Sequence, residues 1–119
     1  RSTPVMTAER SVFLRHALDC IDFVVDELAQ IDGQQFLDNR MLRDAVLRNL
    51  EVIGQACKDY GIAELEHSHP DIRWRRVAGF RNQLAHEYLG LDVELVWNIV
   101  REQLPSLRRA IAEHLDLYP

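Results

Sequence analysis

Apolar residues return at steps of three and four along most of this chain, the spacing of helices that bury one face. Over about residues 7–31 the repeat is carried by Leu14, Ala17, Leu18, Ile21, Val24, Val25 and Leu28, with Asp19, Asp22 and Asp26 on the opposite side. This predicts a long amphipathic first helix, broken at Asp32-Gly33. Asp38 is placed to cap a second helix, whose apolar positions Leu42, Ala45, Val46, Ile53, Ala56, Cys57 and Tyr60 keep the period up to Gly61. Asn49 and Gly54 interrupt its surface. Residues 62–70, with Glu64, Glu66, His67, Ser68 and His69, show no clear period; a connecting loop is expected there, with room for one short helical turn, ended by Pro70. A third helix is predicted over 74–88, stopped by Gly90. Asp92 then caps a fourth, striped by Val93, Val96, Trp97, Val100 and Leu104. Leu107, Ile111 and Leu115 continue that stripe beyond Pro105, where a kink or break is expected because proline cannot donate to the helical ladder. Four main helices with short connections predict an all-α antiparallel bundle. No alternating strand pattern competes, and no repeat, linker or low-complexity tract is found.

Composition adds bounds to this picture. The 119 residues fit a single domain spanning 1–119. Cys20 and Cys57 each sit inside an apolar helical run, which points to small buried hydrophobes in a reducing, cytoplasmic setting and not to a disulfide framework. No apolar run reaches the roughly 18 residues of a membrane span, and Arg1-Ser2-Thr3-Pro4 does not look like a signal peptide, so a soluble protein is expected. A net charge of −5 argues against a general nucleic-acid binder. The charge is polarised, however. Of the 14 basic residues all but Lys58 are arginine, and Arg73, Arg75, Arg76 and Arg81 crowd one region. Arginine suits bidentate contacts to carboxylate or phosphate, which makes Arg73, Arg75 and Arg76 candidate RNA contacts, although a solvated basic face would give the same count.

The stretch Arg81-Asn82-Gln83-Leu84-Ala85-His86-Glu87-Tyr88 puts a fixed cation, a titratable imidazole and a phenol within one short segment. On an ideal helix Arg81 and His86 point about 140° apart, while Asn82 and His86 share a face. The length of the arginine closes part of that gap, and the C-terminal end of a helix favours a protonated imidazole. Cutting RNA without metal needs a base for the 2′-hydroxyl, an acid for the departing oxygen and cations for the charged phosphorane. One histidine cannot easily fill both proton-transfer roles. A two-fold dimer would bring two copies of the motif into one cleft, and Gly54 could permit the close helix approach that such a dimer needs.

Structural readings stand beside these. An arginine and a histidine near a helix end also serve as an ion-pairing group and a cap, and Tyr88 as a packed aromatic with a wet hydroxyl. Trp74 and Trp97 read as core anchors more than as base-stacking platforms, and Asn49 as a structural polar group. His67 and His69, flanked by Glu64 and Glu66, invite a zinc reading, but with both cysteines apparently buried no convincing fourth ligand offers itself, so no metal is expected. No phosphate-cradling glycine loop or Ser-His-Asp order is present, and no cofactor is called for.

Pro70-Asp71-Ile72-Arg73-Trp74-Arg75-Arg76-Val77-Ala78-Gly79-Phe80, running into 81–88, then Leu91-Asp92, Val96-Trp97 and Leu104-Pro105-Ser106-Leu107, closely resembles the HepT-like toxins of the HEPN superfamily. Ile53-Gly54-Gln55-Ala56 also looks like that family's pattern, except that Gln55 stands where a glutamate is expected. The resemblance implies a HEPN-type bundle that forms a homodimer and acts as a metal-independent endoribonuclease toxin, with Arg81 and His86 as the catalytic pair and Asn82 supporting them. It further implies, as partner, an MntA-like minimal nucleotidyltransferase antitoxin that transfers AMP to Tyr88, as in type VII toxin–antitoxin systems. Phosphate charge and bulk added two residues from His86 would repel RNA. The alternative is a non-catalytic helical interaction or nucleotide-binding module that docks the nucleotidyltransferase.

Overall fold

The computed structural model describes residues 4–80, 82 and 93–119. Among them every regular element is helical. The elements are α1 (Pro4–Leu28), α2 (Gly33–Asp38), α3 (Arg40–Tyr60), α4 (Ile62–Ser68), α5 (Trp74–Ala78), α6 (Val93–Asn98), a π-helical turn (Ile99–Gln103) and α7 (Leu104–Leu117).

The long helices α1 and α3 form the principal pair, with α7 against α1 and α5 against α3. Side-chain bonds fix their sense. Arg10, near the start of α1, donates to the carbonyl of Tyr60 at the end of α3 (2.7 Å), and Ser11 donates to the carbonyls of Tyr118 and Pro119 beyond α7. Farther along α1, Asp22 accepts two hydrogen bonds from Arg108, near the start of α7 (2.7 and 3.2 Å). The start of α1 therefore meets the ends of both partners, and the pairs are antiparallel. Between them lies the core: Leu14, Ala17, Ile21 and Val24 from α1, Leu50, Ile53 and Cys57 from α3, and Leu104 and Ile111 from α7 are wholly buried. Each leucine, isoleucine or valine among them, removed from water, contributes about 1.5–3 kcal/mol before chain entropy is set against it.

The apolar period placed α1, α3 and α7 correctly, and local chemistry adjusted their ends. Of the helix expected over 74–88, the structure describes α5, which ends at Ala78 with Gly79 as its C-cap, while the expected Gly90 stop and Asp92 cap lie outside the described residues. Asp32 breaks the chain as expected and also caps α2, accepting from the Gln35 amide (2.8 Å) while its own amide donates to the Gln35 side chain (2.9 Å). Asn39, not Asp38, caps α3, accepting from the Leu42 amide (3.0 Å). Gly61 ends α3 with φ of 132°, a backbone conformation that side chains disfavour.

The expected loop at 62–70 is instead the helix α4. It buries one apolar residue, Leu65, so periodicity could not reveal it; it is held at its end by the His69 amide donating to the Leu65 carbonyl (2.8 Å). The disturbance expected at Pro105 takes the form of the π turn just before it. There the Leu104 amide donates to the carbonyl of Ile99, five residues back, and Pro105 lies in the first turn of α7, where a missing amide proton costs little.

Gly54 makes a close approach within the chain. A Cβ there would stand 2.6 Å from the Val77 carbonyl oxygen of α5, so the helix contact foreseen for a dimer seam is used to seat α5 on α3.

Candidate functional site

Helix α5 carries the chain from the bundle into the Arg81–Tyr88 motif, and Trp74 fixes where it starts. This side chain is fully buried, and its indole N–H donates to the His69 carbonyl (2.9 Å). Trp74 is thus a core anchor. Trp97 is only half-buried; it packs on Phe36 (centroids 5.8 Å apart) and lies under the Arg101 guanidinium (5.3 Å). Val77 continues the buried face of α5, and Phe80, just past its end, is buried as well. Asn82 is exposed and helical. Arg81, His86 and Tyr88 lie outside the described residues.

The arginine cluster divides. Arg73, Arg75 and Arg76 are all exposed, but Arg75 is bound to Glu66 (3.2 Å), whereas Arg73 and Arg76 border a cleft of about 320 Å³ between α5 and the beginning of α7. A second cleft of about 310 Å³ lies between α1 and α3, and Gln55 borders it, donating to Asp59 (2.9 Å). Asn49 donates to the Ala45 carbonyl (2.8 Å), a structural use of its amide.

The residues weighed as zinc ligands diverge. His67 is exposed, His69 is turned into the core, Glu66 holds Arg75, and Glu64 accepts from Arg10 and Tyr60. No cluster of three metal-ligating side chains occurs among the described residues. Both cysteines are buried and free, and burial pushes the Cys57 thiol up to about 12.

A buried polar chain, not foreseen from the sequence, connects these elements. His114 of α7 is fully buried, with Nδ1 3.3 Å from His69 Nε2 and Nε2 2.8 Å from the Tyr60 hydroxyl. Tyr60 donates onward to Glu64 (2.9 Å), which Arg10 also engages (3.1 Å). Because the Tyr60 proton goes to Glu64, its oxygen must accept from His114 Nε2–H; Nδ1 of a neutral His114 then accepts from His69 Nε2–H. Burial, and then the neighbouring His69, lower the pKa of His114, against an opposing pull from Glu64. Burial raises Glu64, but hydrogen bonds from Arg10 and Tyr60 outweigh it and hold the carboxyl below its usual value. The Tyr60 phenol is pushed up to about 12, first by burial and then by Glu64. This chain ties α1, α3, α4 and α7 together directly beneath the anchor of α5. One signal for it was present: His114 follows Leu107 and Ile111 on the buried stripe of the last helix.

The profile of the ribonuclease HepT-like family matches residues 17–114. The chain belongs to this family. Among its relatives, a candidate RNase from Methanocaldococcus jannaschii is 35% identical over 99 residues, covering 83% of this chain and 90% of that protein. A protein of Thermococcus cleftensis named "Probable ribonuclease HepT" is 34% identical over 96 residues, covering 81% and 86%. A candidate RNase from Caldanaerobacter subterraneus subsp. tengcongensis is 30% identical over 104 residues, covering 87% and 92%. No solved structure matches. The family agrees with the HEPN-type bundle expected from the sequence. No helix among the described residues is long and apolar enough to cross a membrane.

Proposed function

We propose that this HepT-like ribonuclease is the endoribonuclease toxin of a toxin–antitoxin pair, a single domain over 1–119 that works without metal as a cytoplasmic homodimer. The observation that carries the reading is the family match over 17–114, within which the whole Arg81–Tyr88 segment falls. His86 moves the proton of the attacking 2′-hydroxyl, and Arg81 offsets the charge that builds on the phosphorane. Asn82, four residues before His86 in the sequence, orients the imidazole or the phosphate. A second copy across a two-fold seam supplies the second histidine that a concerted acid and base require. Arg73 and Arg76, which have no ion-pair partner among the described residues, add phosphate contacts beside the motif; Arg75 joins them only by leaving Glu66.

Silencing is read at Tyr88, by AMP transfer from an MntA-like nucleotidyltransferase. The adenylyl phosphate places a negative charge where RNA must approach. Incubation with that enzyme and ATP is expected to raise the intact mass of the wild type by one or more adenylyl groups, to leave Tyr88→Phe unchanged, and to stop RNA cleavage by the modified protein. An unchanged mass, or cleavage that survives modification, overturns this part of the reading.

A further inference from the structure

We infer that the cleft between α5 and the beginning of α7 receives one unstacked nucleotide of the RNA, with its phosphate on Arg73 and Arg76 and its base selected by Asp71 and Glu102. The inference rests on the ribonuclease reading and specifies which part of the substrate is recognised. A volume of about 320 Å³ lies within the range of small-molecule sites and suits one nucleotide unit. Half-buried Ile72 gives the cleft its apolar floor, and Val77 and Leu107, almost wholly buried, back it from the core and hold it in place.

The rim carries two kinds of charge. Arg73 and Arg76 are exposed and lack ion-pair partners among the described residues, whereas Arg10, Arg75 and Arg108 are each held by a carboxylate. Two guanidinium forks beside an apolar floor match a phosphate attached to a base. Asp71 and Glu102 also border the cleft. Carboxylates repel phosphate but accept hydrogen bonds from exocyclic amino groups, so this rim favours adenine, cytosine or guanine over uracil, whose edge has no amino group and sets its single N–H between two carbonyl oxygens that a carboxylate repels. Gln103 and Ser106, half-buried and neutral, complete the polar edge. Selection of one splayed base suits an acidic chain, because single-stranded loops and ends display bases without requiring a broad basic surface.

The test measures binding of wild-type protein to 2′-O-methyl pentamers of A, C and U, which lack the attacking hydroxyl and stay intact. Oligo-A and oligo-C are expected to bind about tenfold tighter than oligo-U. Arg73→Gln with Arg76→Gln should weaken all three by about tenfold, Ser106→Trp should block all three by filling the cleft, and Asp71→Asn with Glu102→Gln should erase the base preference without loss of affinity. Equal binding of the three pentamers overturns the inference, as does indifference to every variant. If the wild type cuts cellular RNA and the variants keep its cut sites and rates, the cleft inference fails and the ribonuclease reading stands. If the pentamers behave as expected and the wild type cuts nothing, the ribonuclease reading fails and the nucleotide cleft stands. Variants that lose only nucleotidyltransferase binding overturn the inference in favour of a protein-docking face.

Discussion

His114 shows how one side chain can serve as both core and latch. It occupies the apolar stripe of α7, yet both ring nitrogens are engaged, by His69 and by Tyr60. The folded state lowers its pKa, mainly through burial and then through His69, while Glu64 pulls the other way and Arg10 adds to the lowering. The unfolded chain therefore takes up this proton at a higher pH than the folded chain does. The stability given by neutral His114 is complete above the ordinary histidine value, about 6.5, and is lost as pH falls through the lower folded value. Glu64 adds a second loss at more acidic pH, because its carboxyl is held low in the fold. The wild-type melting temperature is expected to fall between about pH 7 and pH 5. In His114→Gln the slope over that window should flatten, with a loss of about 1–3 kcal/mol at neutral pH from the broken chain of hydrogen bonds. Thermal unfolding of both proteins across this range checks the prediction; an equal slope would contradict it. The same histidine marks a limit of sequence reading. Its position on the stripe was visible, but its partners come from α3 and α4, far away in sequence, and only the fold brings them within reach.

At the scale of elements, local chemistry decides what periodicity leaves open. The helices α1, α3 and α7 each bury a regular stripe, so they were legible. Helix α4 was not, because its place depends on Leu65, on the His69 amide and on the Trp74 indole rather than on a repeat. The effect of Pro105 was anticipated as a kink or break, but the detail, a π turn one step upstream, depends on where the released carbonyls find donors. Gly54 yields a sharp prediction. In an open helix Gly→Ala gains about 0.5–1 kcal/mol, but here the new methyl would meet the rigid Val77 carbonyl at 2.6 Å. The clash prevails, and Gly54→Ala should lose about 1–3 kcal/mol in denaturant unfolding. It should also reduce RNA cleavage out of proportion to that loss, since α5 delivers the chain to Arg81. Gain of stability on this substitution would show that α5 is not seated as described.

For the molecule as a whole, the family could be recognised from the motif and its flanks, and the profile match confirms that membership. The antiparallel bundle followed from the stripes. The charge balance was less easily interpreted. A net charge of −5 suggests no nucleic-acid partner, yet several arginines are held by carboxylates, Arg10 by Glu64, Arg75 by Glu66 and Arg108 by Asp22, while Arg73 and Arg76 have no ion-pair partner among the described residues. Pairing, which depends on the fold, therefore determines where phosphate can be met. The central claim is chemical: Arg81 and His86 cut RNA without metal. Its most direct test is incubation of total RNA with purified, unmodified protein in EDTA, comparing wild type with Arg81→Ala and His86→Ala. The account predicts discrete fragments from the wild type, and rates lowered at least about a hundredfold in each variant. Intact RNA from a dimeric wild type with unmodified Tyr88, or cleavage that persists in both variants, would contradict it.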